Sequence, residues 1–154
     1  MTTRRLGIAL SAWSAAFACV HLAWALGWRG GVPDDVAPIG ERPVFWAYDV
    51  VAGVLMLLAA GVAAALACGG LPHRSRRLLL TLTLVGALLA LARGLPTLVW
   101  DLGSVDLTGL GPAVDAWFTV AGLLGLALWL VAGAPDQARS LSSKKASTRS
   151  TPSC

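Results

Sequence analysis

Four long apolar runs organise the chain, at 6–28, 44–68, 78–100 and 113–133. Each is close to the ~20 mostly apolar residues that a helix needs to cross a bilayer core. The runs are continuously apolar and do not alternate with period two, which disfavours a β-barrel. The pattern predicts an all-α fold, an integral membrane four-helix bundle over residues 1–134. A Pro-rich loop (29–43), a short basic loop (69–77) and a Gly-rich acidic loop (101–112) connect the runs. From Pro135 the chain turns polar, and eight of the fifteen residues 140–154 are Ser or Thr. Such a stretch cannot bury a core, so 135–154 is expected to be a disordered basic tail.

Composition agrees. Only 13% of the 154 residues are charged and 56% are hydrophobic, with a mean hydropathy of +0.72. Soluble domains carry about 25% charged residues, so this chain cannot coat a water-exposed globule. Three cysteines are too few for a disulfide scaffold. Without a C-x-x-C pair, thiol–disulfide exchange lacks its resolving partner. Cys19 and Cys68 read as small packing residues, and Cys154 does not stand in a prenylation box. His21 and His73 fall at different depths, so no metal, haem or other cofactor is expected.

Charge placement sets the expected orientation. Arg4, Arg5, Arg74, Arg76, Arg77, Arg139, Lys144, Lys145 and Arg149 fall on one side of four spans. The other side holds Arg29 and Arg42 beside Asp34, Asp35, Glu41, Asp101 and Asp106. The positive-inside rule then places both termini in the cytoplasm of a plasma-membrane protein. The basic charge marks a membrane face and gives no sign of nucleic-acid binding. Trp24, Trp28, Trp46, Trp100 and Trp117 lie toward the outer ends, where interfacial tryptophans gather, and Trp13 and Trp129 toward the inner side. Arg4-Arg5 before an apolar run also resembles a signal peptide, with Ala16-Phe17-Ala18-Cys19 as a lipoprotein-like cleavage site. The run is long enough to span and is read here as retained.

The candidate chemistry lies in the few ionisable residues inside spans, which are costly there and usually paired or functional. At ~1.5 Å per residue, His21 and Arg93 each sit roughly 10 Å below an outer span end. Asp49 and Asp115 lie roughly 7 Å and 3 Å in from theirs. His21, Asp49, Arg93 and Asp115, with Trp24 and Tyr48 beside them, form the candidate site. Helical spacing puts Gly86, Ala90 and Arg93 on one stripe, and Asp115, Thr119 and Gly122 on another. It also aligns Ser14 with His21, and Asp49 with Ala52, Gly53 and Met56. Small residues admit close helix approach, so these faces should point inward. Pro96, after Gly94, predicts a kink or unwinding beside Arg93. Two readings stay open: an ion pair of Arg93 with Asp115 or Asp49 that locks the helices, or a polar pocket open to the outer face. The two halves also share a layout, a basic or titratable residue seven positions before a Trp and then an acid near a Trp. Interfacial Trp alone can produce that likeness.

His21-Leu22-Ala23-Trp24-Ala25-Leu26-Gly27 resembles the His-x-x-Trp-Ala-x-Gly motif of a family of small four-span bacterial membrane proteins of unknown function. Arg93-Gly94 late in the third span and Asp115 at the start of the fourth resemble further features of that family. The resemblance covers about 6–133 and departs after Arg93-Gly94 and after Asp115. Asp49 is outside its pattern, and it implies a fold but no activity.

Three function classes fit these residues. One is a binding or transport module for a small or lipid-soluble ligand, which as a transporter would need to dimerise. The second is an intramembrane isomerase or cyclase using Asp49 or Asp115 as acid with His21. Such an acid needs a carboxyl that holds its proton near neutrality, which a neighbouring Arg93 opposes. The third is an accessory subunit in which the cluster fixes packing. The almost wholly Leu, Ala, Val and Gly inner halves weaken transport. The bilayer is the expected partner, with a lipid-soluble small molecule and a second copy of the chain as further candidates.

Overall fold

The computed structural model describes residues 2–31, 39–104 and 110–149. Four helices follow in order: α1 Thr3–Ala25, α2 Pro43–Cys68, α3 His73–Ser104 and α4 Leu110–Arg149, with a short 3-10 turn at Ile39–Glu41. There is no strand among the described residues. All four helices are long and apolar enough to cross a membrane. Asp34, Asp35, Asp106 and Cys154 lie outside the described residues.

Local chemistry sets the helix ends. Thr2 caps α1, its hydroxyl oxygen accepting from the Arg5 amide at 3.4 Å. α1 closes at Ala25, three residues before the apolar run ends. Gly27 there adopts φ 97°. The Gly27 amide donates to the Trp24 carbonyl and the Trp28 amide to the Ala23 carbonyl, both at 2.9 Å. This is the paired C-terminal closure that needs a left-handed residue, normally glycine. Pro43 opens α2 in the first turn, where its missing N–H costs nothing. Gly69 and Gly70, both at φ 73°, end it. α3 starts at His73, so Arg74, Arg76 and Arg77 belong to its first turns and not to a loop.

Two expectations along α3 and α4 change. α3 stays helical through Pro96. The Thr97 hydroxyl donates to the carbonyls of Arg93 at 3.1 Å and Gly94 at 3.2 Å, supporting the backbone around the proline. The backbone of α4 continues past Gly133 to Arg149, into the stretch expected to be disordered. Ala, Gln, Arg, Leu and Lys in that stretch are good helix formers and prolong a helix already nucleated.

The helices form two antiparallel hairpins, α1–α2 and α3–α4, that meet mainly along α1 and α4. α1 and α3 stand across the bundle from each other. We call the end holding Thr3, Cys68 and His73 the near end, and the end holding Ala25, Pro43 and Pro112 the far end. The near end is filled by Leu6, Leu10, Ala63, Leu66, Leu80, Leu128 and Ala132, drawn from all four helices. Gly7 lets α1 approach the Ala63 carbonyl and Ala67 on α2, where a Cβ would come within 2.8 Å of both. Arg76 also ties α3 to α4 there, donating to the carbonyl of Ala132. The far half is packed differently, and the ionisable residues lie in it.

Candidate functional site

The four intramembrane ionisable residues form two pairs, one in each hairpin. His21 Nδ1 lies 2.5 Å from Asp49 Oδ1, with both side chains 5% exposed. Arg93 Nη1 lies 2.6 Å from Asp115 Oδ1, the arginine side chain 51% exposed and the aspartate 7%. Among the described residues no hydrogen bond or ion pair links one pair to the other. The expected single cluster is therefore two sites, because each hairpin closes on its own acid while α1 and α3 stand apart. Of the two partners open to Arg93, the structure selects Asp115.

The small-residue faces explain the pairing. Asp49 and Gly53 are buried on one face of α2. A Cβ on Gly53 would come within 2.8 Å of Leu22, the residue after His21. Asp115 and Thr119 are buried on α4. A Cβ on Gly94 would come within 2.5 Å of the Asp115 carbonyl. The packed face of α3 differs from the expected stripe of Gly86, Ala90 and Arg93. It runs through Leu80, Thr83 and Ala87 to Gly94, one position round the helix. Arg93 thus stands at the edge of the packed face, which is why half of it is exposed. Cys19 and Cys68 are also exposed, so they face outward and do not pack.

Each position of the His-x-x-Trp-Ala-x-Gly segment has a physical task. His21 holds Asp49. Trp24 donates from Nε1 to the Gly30 carbonyl at 2.8 Å, folding the following loop back onto the helix end. Ala25 is buried at the last helical position, and Gly27 supplies the left-handed turn. Trp24 and Tyr48 both stand edge-on to His21, with ring centroids at 5.3 and 5.9 Å.

An aromatic wedge separates the two pairs. Phe17 stands edge-on to His21 at 4.6 Å, stacks near Trp117 at 5.4 Å and meets Phe118 edge-on at 5.3 Å. Trp13 stacks on Trp117 at 4.1 Å and donates to the Trp117 carbonyl at 3.2 Å. The Arg93 guanidinium carbon lies 5.7 Å from the centre of the Phe118 ring. The candidate residues read from sequence omit Phe17, Trp117 and Phe118. The signal for Phe17 is the i, i+4 run Trp13, Phe17, His21, which places two rings on the face of the histidine; that run carries no signal for Trp117 and Phe118 on α4.

Two spaces adjoin the wedge. A cleft of about 320 Å³ opens between α1 and α4 near the far end, walled by Phe17, Trp24, Trp28 and Trp117 with Val20 and Val114. An interior cavity of about 100 Å³ lies deeper, against Trp13, Phe17, Trp117 and Phe118 with Ser14 and Thr83. Chemically, this is an apolar aromatic recess backed by a buried imidazole–carboxylate pair. No protein family, no curated protein and no solved structure matches the chain.

Proposed function

We propose that this chain is a multi-pass plasma-membrane protein that binds a small lipid-soluble ligand in the cleft between α1 and α4. Both termini lie in the cytoplasm and the far end is the outer end, so the cleft opens at outer-leaflet depth. The observation that carries the reading is the cleft itself, about 320 Å³ with four aromatic rings in its wall. Ligand sites are concave and mostly apolar, with few polar groups. The filled near end counts against a transport path. His21 and Asp49 give the recess its polar backing, whereas Arg93 and Asp115 lock α3 to α4.

The test uses indole fluorescence in proteoliposomes titrated with 1-bromonaphthalene, a heavy-atom quencher that partitions into lipid. Trp24, Trp28 and Trp117 line the cleft, so quenching has a saturable component. Val20→Phe, which fills the cleft, removes that component. Quenching strictly proportional to probe in the membrane would refute the reading.

A second reading, an intramembrane isomerase or cyclase, has one observation in its favour. Arg93 pairs with Asp115, so it does not oppose acid chemistry at Asp49. His21 and Asp49 would then share the proton that such a reaction moves. Turnover of a lipid-soluble substrate lost in Asp49→Asn, with binding retained, would distinguish it.

A further inference from the structure

The interior cavity lies at mid-depth. Ser14, Met56 and Gly86 in its wall stand at the middle of the spans Thr3–Ala25, Pro43–Cys68 and His73–Trp100. Ala121 stands near the middle of Pro112–Ala134. Small residues make the space, since Ala59, Gly86, Ala87, Ala90, Ala121 and Gly125 all border it. The large rings gather on one side, where Trp13 and Phe17 stack on Trp117 and close the seam between α1 and α4. The opposite seam is looser, because the hairpins meet mainly along α1 and α4. On that side Gly86 is exposed and Met56, Ala59 and Ala90 are half-buried. A Cβ on Gly86 would meet nothing within 4 Å. These four residues, two from α2 and two from α3, form the mouth of the cavity.

The wall chooses the occupant. Its hydroxyls are those of Ser14 and Thr83, and the Thr83 hydroxyl already donates to the Leu79 carbonyl at 2.8 Å. Trp13 Nε1 donates to the Trp117 carbonyl, and Trp117 Nε1 has almost no accessible surface. A buried water needs two to four polar partners, which this wall does not supply. A closed apolar cavity of about 150 Å³ stays dry and takes benzene or xenon. At about 100 Å³ this space is smaller and suits the tip of a hydrocarbon chain. An empty space forfeits the dispersion contacts of its lining. At mid-depth in a bilayer, the material at hand to restore them is the methyl ends of lipid acyl chains.

We infer that the interior cavity holds the methyl end of a lipid acyl chain, which enters between α2 and α3 beside Gly86. This rests on the four helices spanning a bilayer and is independent of the cleft. The full chain is reconstituted in vesicles of phosphatidylcholine carrying a diazirine at the methyl end of one chain. After irradiation, mass spectrometry maps the labelled residues. Leu57 and Leu89, 47% and 67% exposed at mid-span, report chain ends in the surrounding lipid. Ser14, 3% exposed, is reached only by a chain end inside the bundle. All three are expected to be labelled. With the diazirine beside the carboxyl group of the chain, Ser14 is not. In Gly86→Leu, or in Ala59→Leu from the facing helix, labelling of Ser14 falls about tenfold while that of Leu57 and Leu89 stays. Labelled Leu57 and Leu89 with unlabelled Ser14 in the unaltered protein overturns the inference and leaves the spans standing. Ser14 labelling that persists in both variants overturns the entry between α2 and α3. Equal labelling of Ser14 by both lipids overturns the assignment to the chain end. Absence of label at Leu57 and Leu89 as well overturns both the inference and the spanning arrangement beneath it.

Discussion

The buried pair of α1 and α2 makes an asymmetric stability prediction. Asp49 is 3% exposed and His21 4%. Among the described residues, His21 is the only charged or titratable group within bonding distance of Asp49. His21→Ala leaves a carboxylate buried without a partner, and breaking a buried pair in this way costs about 3–5 kcal/mol. Asp49→Ala leaves an imidazole, a side chain that has an uncharged form with one N–H donor and one acceptor nitrogen. Its cost is that of an unmet polar atom and lost packing, about 1–3 kcal/mol. The double variant should cost little more than Asp49→Ala alone, giving a coupling of about 2–3 kcal/mol. Reversible unfolding by sodium dodecyl sulfate in mixed micelles, followed by circular dichroism, measures all four proteins. Single costs below about 1 kcal/mol that simply add would refute the reasoning. So would Asp49→Ala costing more than His21→Ala.

Other substitutions test separate elements in the same assay. Gly94→Ala should cost about 2–3 kcal/mol by forcing α3 from α4, because its Cβ would come within 2.5 Å of the Asp115 carbonyl. Gly86→Ala, which meets nothing within 4 Å, should stabilise by about 0.5–1 kcal/mol through helix propensity. Exchanging Arg93→Asp with Asp115→Arg should not restore stability, since position 115 is buried and has no room for a guanidinium. Gly27→Ala should cost about 1 kcal/mol or more through its left-handed backbone, and Gly27→Asn less. With native cysteines replaced, a cysteine at Arg29 should react in intact cells with a membrane-impermeant maleimide, and one at His73 should not. Labelling of His73→Cys alone would reverse the proposed orientation.

The four spans were legible because each is a long apolar run with terminators of known chemistry, such as Gly69-Gly70 and Pro43. The inward faces of α1, α2 and α4 were legible too, since Ser14, Gly53 and Gly122 are small residues at helical spacing from an ionisable one. The face of α3 was not. Gly86, Ala90 and Arg93 fit the spacing rule as well as the true face of Thr83, Ala87 and Gly94. The choice between them comes from tertiary contact, in which Gly122 meets Leu91 and Gly125 meets Ala87. Pro96 misled for a related reason: a proline removes one helix bond, and the Thr97 hydroxyl supplies others one residue on. The division into two pairs was hidden because depth along a helix says nothing about which corner of the bundle that helix occupies.

The two hairpins solve one geometric problem with the steric partners exchanged. In each, a basic or titratable residue on the first helix meets an acid near the start of the second. In α1–α2, Leu22 follows His21 and fits against Gly53, four residues after Asp49. In α3–α4, Gly94 follows Arg93 and fits against Thr119, four residues after Asp115. Leu22 fills the space that Gly53 leaves open, and the imidazole and carboxylate lie enclosed beside that contact. Glycine on α3 brings its backbone directly against that of α4, and no space remains for a guanidinium between them. Arg93 is displaced to the edge and engages Asp115 through Nη1 alone. One inversion of large and small thus accounts for one sealed pair and one half-open pair. It also separates their surroundings: one pair is enclosed beside an aromatic recess, whereas the displaced arginine holds α3 on α4 from outside.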